Sequence, residues 1–103
     1  MDFKQQAATA ATALIKDRSV IGLGAGATIV YMIDFLAVRI QNGLQVAVLT
    51  SSSATKKILL EKNIAVLDKS SVSSIDMYFD GCDQFDKELN ALKSGGGTAI
   101  VFL

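Results

Sequence analysis

Three observations predict an α/β domain for this sequence, with a mostly parallel sheet flanked by helices on both faces. Short, β-branched apolar runs alternate with longer segments of helical periodicity. Three alternate glycines, Gly22, Gly24 and Gly26, stand where the first such run gives way to a helix. Apolar residues make up 50% of the chain and charged ones 19%, with no proline, internal repeat or linker-like stretch, so residues 1–103 read as one domain.

Taken in order, the elements are these. Asp2 can cap a first helix, with Gln5 in the capping-box position, and Phe3, Ala7, Ala10 and Leu14 mark one face at helical spacing. "SVIGLG" (19–24) is a short apolar strand ending in glycine. Ile29, Ile33, Leu36 and Ile40 define a second helix, which Asn42-Gly43 closes. "LQVAVLT" (44–50) is a second strand, and Ser51 to Ser53 form a cap cluster before the helix "ATKKILLEKN" (54–63). "IAVLD" (64–68) is expected to be a third strand. "SIDMYFD" (74–80) is a fourth, with Ile75, Met77 and Phe79 alternating against Asp76, Tyr78 and Asp80.

Composition removes several functional classes. Ten basic residues balance ten acidic ones with no block of either sign, which argues against a nucleic-acid or anionic-membrane partner. The apolar run "TIVYMIDFLAVRI" (28–40) is broken by Asp34 and Arg39 and falls short of the roughly 18 residues a membrane span needs. Residues 1–15 lack the basic start, apolar block and small-residue site of a signal peptide, and none is expected. A single cysteine, Cys82, excludes an internal disulfide framework and fits a reducing cytoplasm. It reads as a small packing hydrophobe, with no base or cation beside it. There is no histidine, so acid–base chemistry falls to Asp, Glu, Lys or Tyr, and no metal site is expected.

The glycines pose the functional question. The expected architecture is Rossmann-like, and Gly22, Gly24 and Ala27 fit the G-x-G-x-x-G/A pattern of a dinucleotide site, which must therefore be weighed. That site also wants an acid at the end of the second strand to hold a ribose hydroxyl, about 20 residues on. Thr50 to Ser53 stand there instead, and no Gly-Lys-Ser/Thr follows the glycines to make a P-loop. What remains is a tight turn with the Thr28 hydroxyl at a helix N-terminus, suited to a phosphate monoester or serving only to turn the chain. "DGCDQFD" (80–86) follows a strand directly, so Asp80 and Asp83 lie at the C-terminal edge of the sheet, where ligands of open α/β sheets sit. Two such carboxylates in one cavity can divide into an acid and a base, or form a solvated turn. "KSGGG" (93–97) offers a cation and free backbone N–H groups for a developing oxyanion, or a flexible loop.

"GLGAGAT", "TSSSAT", "DGCDQ" and "KSGGGTA" in this order and at these intervals, with the opening helix and its Lys4, resemble the N-terminal half of type A ribose-5-phosphate isomerase. The resemblance covers nearly all of residues 1–100 of a family whose members are roughly twice as long. It implies a cytoplasmic aldose–ketose isomerase of the pentose phosphate pathway, interconverting ribose 5-phosphate and ribulose 5-phosphate without metal or organic cofactor. It also implies the site. Gly24, Gly26 and Thr28, with Ser51, Ser52 and Ser53 nearby and Lys4 adding charge, hold the sugar phosphate. Asp80 and Asp83 bind sugar hydroxyls and relay protons between the oxygens. Lys93 and the amides of Gly95, Gly96 and Gly97 stabilise the enediolate.

The chain departs from that pattern at Ala25 and Ala27, where the family carries hydroxyl residues, and at Gln84, where it carries a carboxylate. The glutamate that removes the carbon-bound proton belongs in an amphipathic helix after the glycine loop. Its place falls at Phe102, inside the uncharged "TAIVFL", which reads instead as a buried or sticky strand with Phe102 in the core. A non-catalytic sugar-phosphate-binding domain is the alternative reading. The apolar second helix and "TAIVFL" lead us to expect a homo-oligomer, a dimer or larger.

Overall fold

The computed structural model describes residues 2–80 and 98–103. In it helix α1 (Phe3–Ala13) leads to strand β1 (Ser19–Leu23), helix α2 (Ala27–Gln41), strand β2 (Val46–Leu49) and helix α3 (Ser53–Glu61). A short 3-10 turn (Lys69–Ser71), strand β3 (Met77–Asp80) and strand β4 (Ala99–Phe102) follow. The four strands form one sheet in the order β2-β1-β3-β4 with every pairing parallel, so all four point their C-terminal ends to the same edge. The α/β class and the parallel sheet are as the sequence predicts.

Local chemistry sets the helix limits. The Asp2 carboxylate accepts the Gln5 N–H at 2.8 Å, and the Gln5 side chain returns to the Asp2 N–H, closing the expected capping box. At the other end of α2, the Gly43 and Leu44 N–H groups donate to the carbonyls of Ile40 and Arg39, a Schellman closure built on Asn42-Gly43. Asn63, with φ 62°, closes α3 in the same way, its neighbour Ile64 donating to the Leu59 carbonyl.

All three helices bury side chains in one cluster with Ile21, Leu23, Val48 and Phe79 of the sheet. Val20, Ile75 and Tyr78 form a smaller cluster on the opposite face, where the Tyr78 ring lies over Gly22. The sequence also leads us to expect a helix on that second face, and none packs there among the described residues. The Arg39 guanidinium donates to the carbonyls of Thr12 and Ile15 at 2.7 and 2.8 Å, tying the C-terminal end of α1 to that of α2. Lys4 and Gly26 stand at the opposite ends of their helices from this tie, toward the C-terminal edge of the sheet.

Four expectations need correction. The buried face of α1 is Ala8, Ala11 and Thr12, continued by Ile15 just past its end, and not Phe3, Ala7, Ala10 and Leu14. Phe3 is 89% exposed, because an alanine-rich helix offers almost no contrast by which to choose its face. Residues 64–68 make no strand: Val66 forms a single parallel bridge with Val48, between the Asn63 turn and the Asp68-capped 3-10 turn. Tyr78 is as buried as Phe79, because β3 lies inside the sheet and both its faces are covered. "TAIVFL" does form a strand, but β4 is an edge strand and Phe102 is 78% exposed, so Phe102 is no core residue.

Candidate functional site

A parallel sheet in the order β2-β1-β3-β4 reverses its winding beside β1. The chain leaves β1 for β2 on one side and later returns to β3 on the other, which opens a crevice at the C-terminal ends of β1 and β3. Gly24 and Asp80 stand at that crevice. The Gly24 N–H donates to the Phe79 carbonyl at 2.8 Å, carrying the β1–β3 pairing one step past the end of β1. A Cβ on Gly24 would lie 2.6 Å from Asp80 Oδ1 and 3.0 Å from its Cγ. Only glycine admits the carboxylate there. Asp80 itself is 6% exposed, and its carbonyl accepts the Leu103 N–H at 3.0 Å, fixing it from the β4 side as well.

Beyond Gly24 the chain turns through Gly26, whose φ of 118° is closed to most side chains, into the first turn of α2. Gly26 occupies the N-cap position and supplies no side-chain cap, so the first N–H groups of α2 keep their donor capacity for an anion. Thr28 is buried in that first turn at 7% exposure.

The serines divide. Ser52 is the N-cap of α3, its hydroxyl oxygen accepting the Thr55 N–H at 3.2 Å, while Ser53 is the first residue of the helix and exposed. Ser51 is exposed and borders a cleft of about 320 Å³ beside the end of β2, with Lys56, Asp68 and Lys69 on its other walls. Lys4 is exposed on the first turn of α1.

Two threonines absent from the sequence-based site hold the turn in place. Thr55 Oγ1, buried, donates to the Gly24 carbonyl at 2.7 Å. Thr50 Oγ1 donates to the Leu23 carbonyl at 2.7 Å and accepts the Ser52 N–H at 3.1 Å. Both lie in "TSSSAT", where the serines drew attention and the threonines read as strand end and helix filler.

The structure thus brings Gly24, Gly26, Thr28 and Asp80 to one edge, with Ser51 to Ser53 at the end of the neighbouring strand. Asp83, Lys93, Gly95, Gly96 and Gly97, with Cys82 and Gln84, lie outside the described residues. Among the described residues no three His, Cys, Asp or Glu side chains gather as a metal site, and no helix is long and apolar enough to cross a membrane.

Comparison with known proteins gives the same direction. The sequence model of ribose 5-phosphate isomerase A (phosphoriboisomerase A) matches residues 47–101. Ribose-5-phosphate isomerase A of Streptococcus pneumoniae serotype 4 is 36% identical over 101 residues, covering 97% of this chain and 44% of its own. The solved ribose 5-phosphate isomerase A of Methanocaldococcus jannaschii superposes with a TM-score of 0.72 at 33% identity, over 91% of this chain and 42% of that one. A D-ribose-5-phosphate isomerase in complex with phospho-erythronic acid superposes with a TM-score of 0.73 at 33% identity, over 84% of this chain and 38% of that one. The chain therefore spans less than half the length of these relatives. With its matching sequence model, parallel sheet and glycine turn, it belongs to the ribose 5-phosphate isomerase A family.

Proposed function

We propose that residues 1–103 constitute a single sugar-phosphate-binding α/β domain of an aldose–ketose isomerase acting between ribose 5-phosphate and ribulose 5-phosphate. The observation that carries this reading is the approach of Asp80 to Gly24 at the point where the sheet reverses its winding. It sets a carboxylate for sugar hydroxyls beside a turn whose amides suit a phosphate. The phosphate rests on the turn from Gly24 to Thr28, with the hydroxyls of Ser51, Ser52 and Ser53 beside it and the Lys4 ammonium adding attraction. Asp80 and Asp83 hold sugar hydroxyls and pass protons between oxygens as the ring opens. Lys93 and the amides of Gly95 to Gly97 bear the charge of the enediolate, the high-energy species of the interconversion. The chemistry is proton transfer alone, so no metal or organic cofactor takes part. The phospho-erythronic acid of the solved relative is a phosphorylated sugar acid, in keeping with such a ligand. The domain works in the cytoplasm as a homo-oligomer and binds neither nucleic acid nor membrane.

A second reading is a sugar-phosphate-binding domain without turnover. It is favoured by Phe102, an exposed strand residue at the place where the family resemblance calls for the proton-abstracting glutamate. A coupled assay for ribulose 5-phosphate, beside a calorimetric titration with ribose 5-phosphate, separates the two. Turnover selects the isomerase, binding without turnover selects the second reading, and the absence of both binding and turnover overturns both readings.

A further inference from the structure

The carbonyls of Leu23 and Gly24 are consecutive acceptors where β1 leaves the sheet, and each takes a hydroxyl from the β2–α3 side, Thr50 for the first and Thr55 for the second. Thr55 is the more committed of the two. It is 3% exposed, its own N–H is spent on Ser52, and its hydroxyl reaches a residue 31 positions earlier in the chain. A peptide group is planar, so the carbonyl of one residue and the N–H of the next point in opposite directions from one rigid plate. Fixing the Gly24 carbonyl on Thr55 therefore fixes the Ala25 N–H, and with it the entry of the chain into Gly26 and the uncapped first turn of α2.

We propose that Thr55 is a positioning residue for the phosphate-holding turn: its buried hydroxyl sets the plane of the Gly24–Ala25 peptide and joins the first turns of α2 and α3 into one anion-binding unit. This rests on the reading that the turn at Gly24 to Thr28 holds the sugar phosphate. Through Thr55 the Ser52 cap, the α3 N-terminus and the glycine turn are connected by hydrogen bonds, so the two halves of the phosphate site keep their spacing before ligand arrives. Preorganisation of this kind strengthens binding by removing an ordering cost, without any contact between Thr55 and ligand.

The test compares the unaltered chain with Thr55→Val, which removes the hydroxyl at nearly constant shape, and Thr55→Ser, which keeps it. Amide hydrogen exchange followed by NMR reads the turn through Gly24, bonded to the Phe79 carbonyl, and Val30, bonded to the Gly26 carbonyl. Ile33 and Leu36 in the body of α2 serve as internal references. Thr55→Val is expected to speed exchange at Gly24 and Val30 by about tenfold relative to the references, and Thr55→Ser to restore it to within about twofold. Calorimetric titration with ribose 5-phosphate is expected to show about tenfold weaker binding for Thr55→Val and rescue by Thr55→Ser. Should valine perturb packing, Thr55→Ala gives the same contrast. Exchange that rises equally at turn and references, or does not rise, overturns the proposal, because a merely stabilising threonine acts on all amides alike. If the unaltered chain fails to bind ribose 5-phosphate, the phosphate reading falls, and the exchange comparison still decides whether Thr55 sets the turn.

Discussion

The carboxylate of Asp80 fills the space that a side chain on Gly24 would need, with Oδ1 2.6 Å from the position of a Cβ. Glycine is therefore required at position 24 by a cross-strand contact, not by a turn. Gly24→Ala is expected to push the carboxylate aside, costing about 1–3 kcal/mol as an overpacked core does. It is also expected to abolish ribose 5-phosphate binding, since the displaced group is the one that faces the sugar in the proposed site. Urea denaturation and calorimetric titration check the two effects, and a variant unchanged in both would remove Asp80 from the site.

Thr28 tests the phosphate end of the proposed site. It is buried in the first turn of α2, at a helix start with no side-chain cap. Thr28→Val nearly conserves shape while removing the hydroxyl, so the fold is expected to survive. Ribose 5-phosphate binding should weaken by about 1–3 kcal/mol, the cost of leaving a polar partner unmet. Equal affinity in a folded variant would take Thr28 out of the phosphate site.

Arg39 carries a purely structural prediction. Its guanidinium satisfies two carbonyls at the C-terminal end of α1 from the last turn of α2. Arg39→Met keeps much of the apolar stem and leaves both carbonyls to water or to nothing. The expected loss is about 1.5–3 kcal/mol, the usual worth of a hydrogen bond to a charged group, read as a lower urea midpoint with unchanged m-value.

These relationships show where the sequence was readable. β1 and β2 were legible because β-branched runs between turn signals leave little choice, β3 because its apolar and aromatic run stops at Asp80-Gly81, and the helix limits because Asp2, Gln5, Ser52 and Asn42-Gly43 are capping residues with one job each. The buried face of α1 was not, since Ala7, Ala8, Ala10 and Ala11 differ in burial but not in chemistry. Val66 lies in a run that looks like a strand, yet turns on both sides leave it room for one bridge. In the site, glycine and carboxylate were visible as residue types at a strand end. The hydroxyls of Thr50 and Thr55 were not, because their role depends on a carbonyl more than 25 residues away in sequence, at separations of 27 and 31.

Self-association is expected to run through β4. It is an edge strand with no charged residue, proline or bulge to blunt it, and Ile100 and Phe102 are 48% and 78% exposed. Light scattering at micromolar concentration should find a dimer or larger, and Phe102→Lys should shift it toward monomer while leaving the thermal midpoint nearly unchanged. A monomeric unaltered chain would count against this surface.

The final prediction concerns turnover. Moving a proton between adjacent carbons needs a base within hydrogen-bond reach of the carbon. Where the family resemblance calls for that base, the chain has Phe102, paired in register with Asp80 at the same edge of the sheet. Asp80 is held against Gly24 and given to the sugar oxygens in the proposed site, so it is poorly placed to take the carbon proton as well. Enzymes commonly turn over at about 10 per second, and a positioned base contributes about 10²–10⁴-fold, so the 103-residue chain should work at or below about 0.1 per second. Asp83→Asn and Lys93→Ala should each remove what activity remains, because in the proposed function the first relays protons between oxygens and the second meets the enediolate charge. The measurement is the initial rate of ribulose 5-phosphate formation by the purified chain and the two variants. A rate near 10 per second that survives Phe102→Ala and vanishes with Asp83→Asn would identify Asp83 as the carbon base, and the site would then need one carboxylate to serve both the oxygens and the carbon.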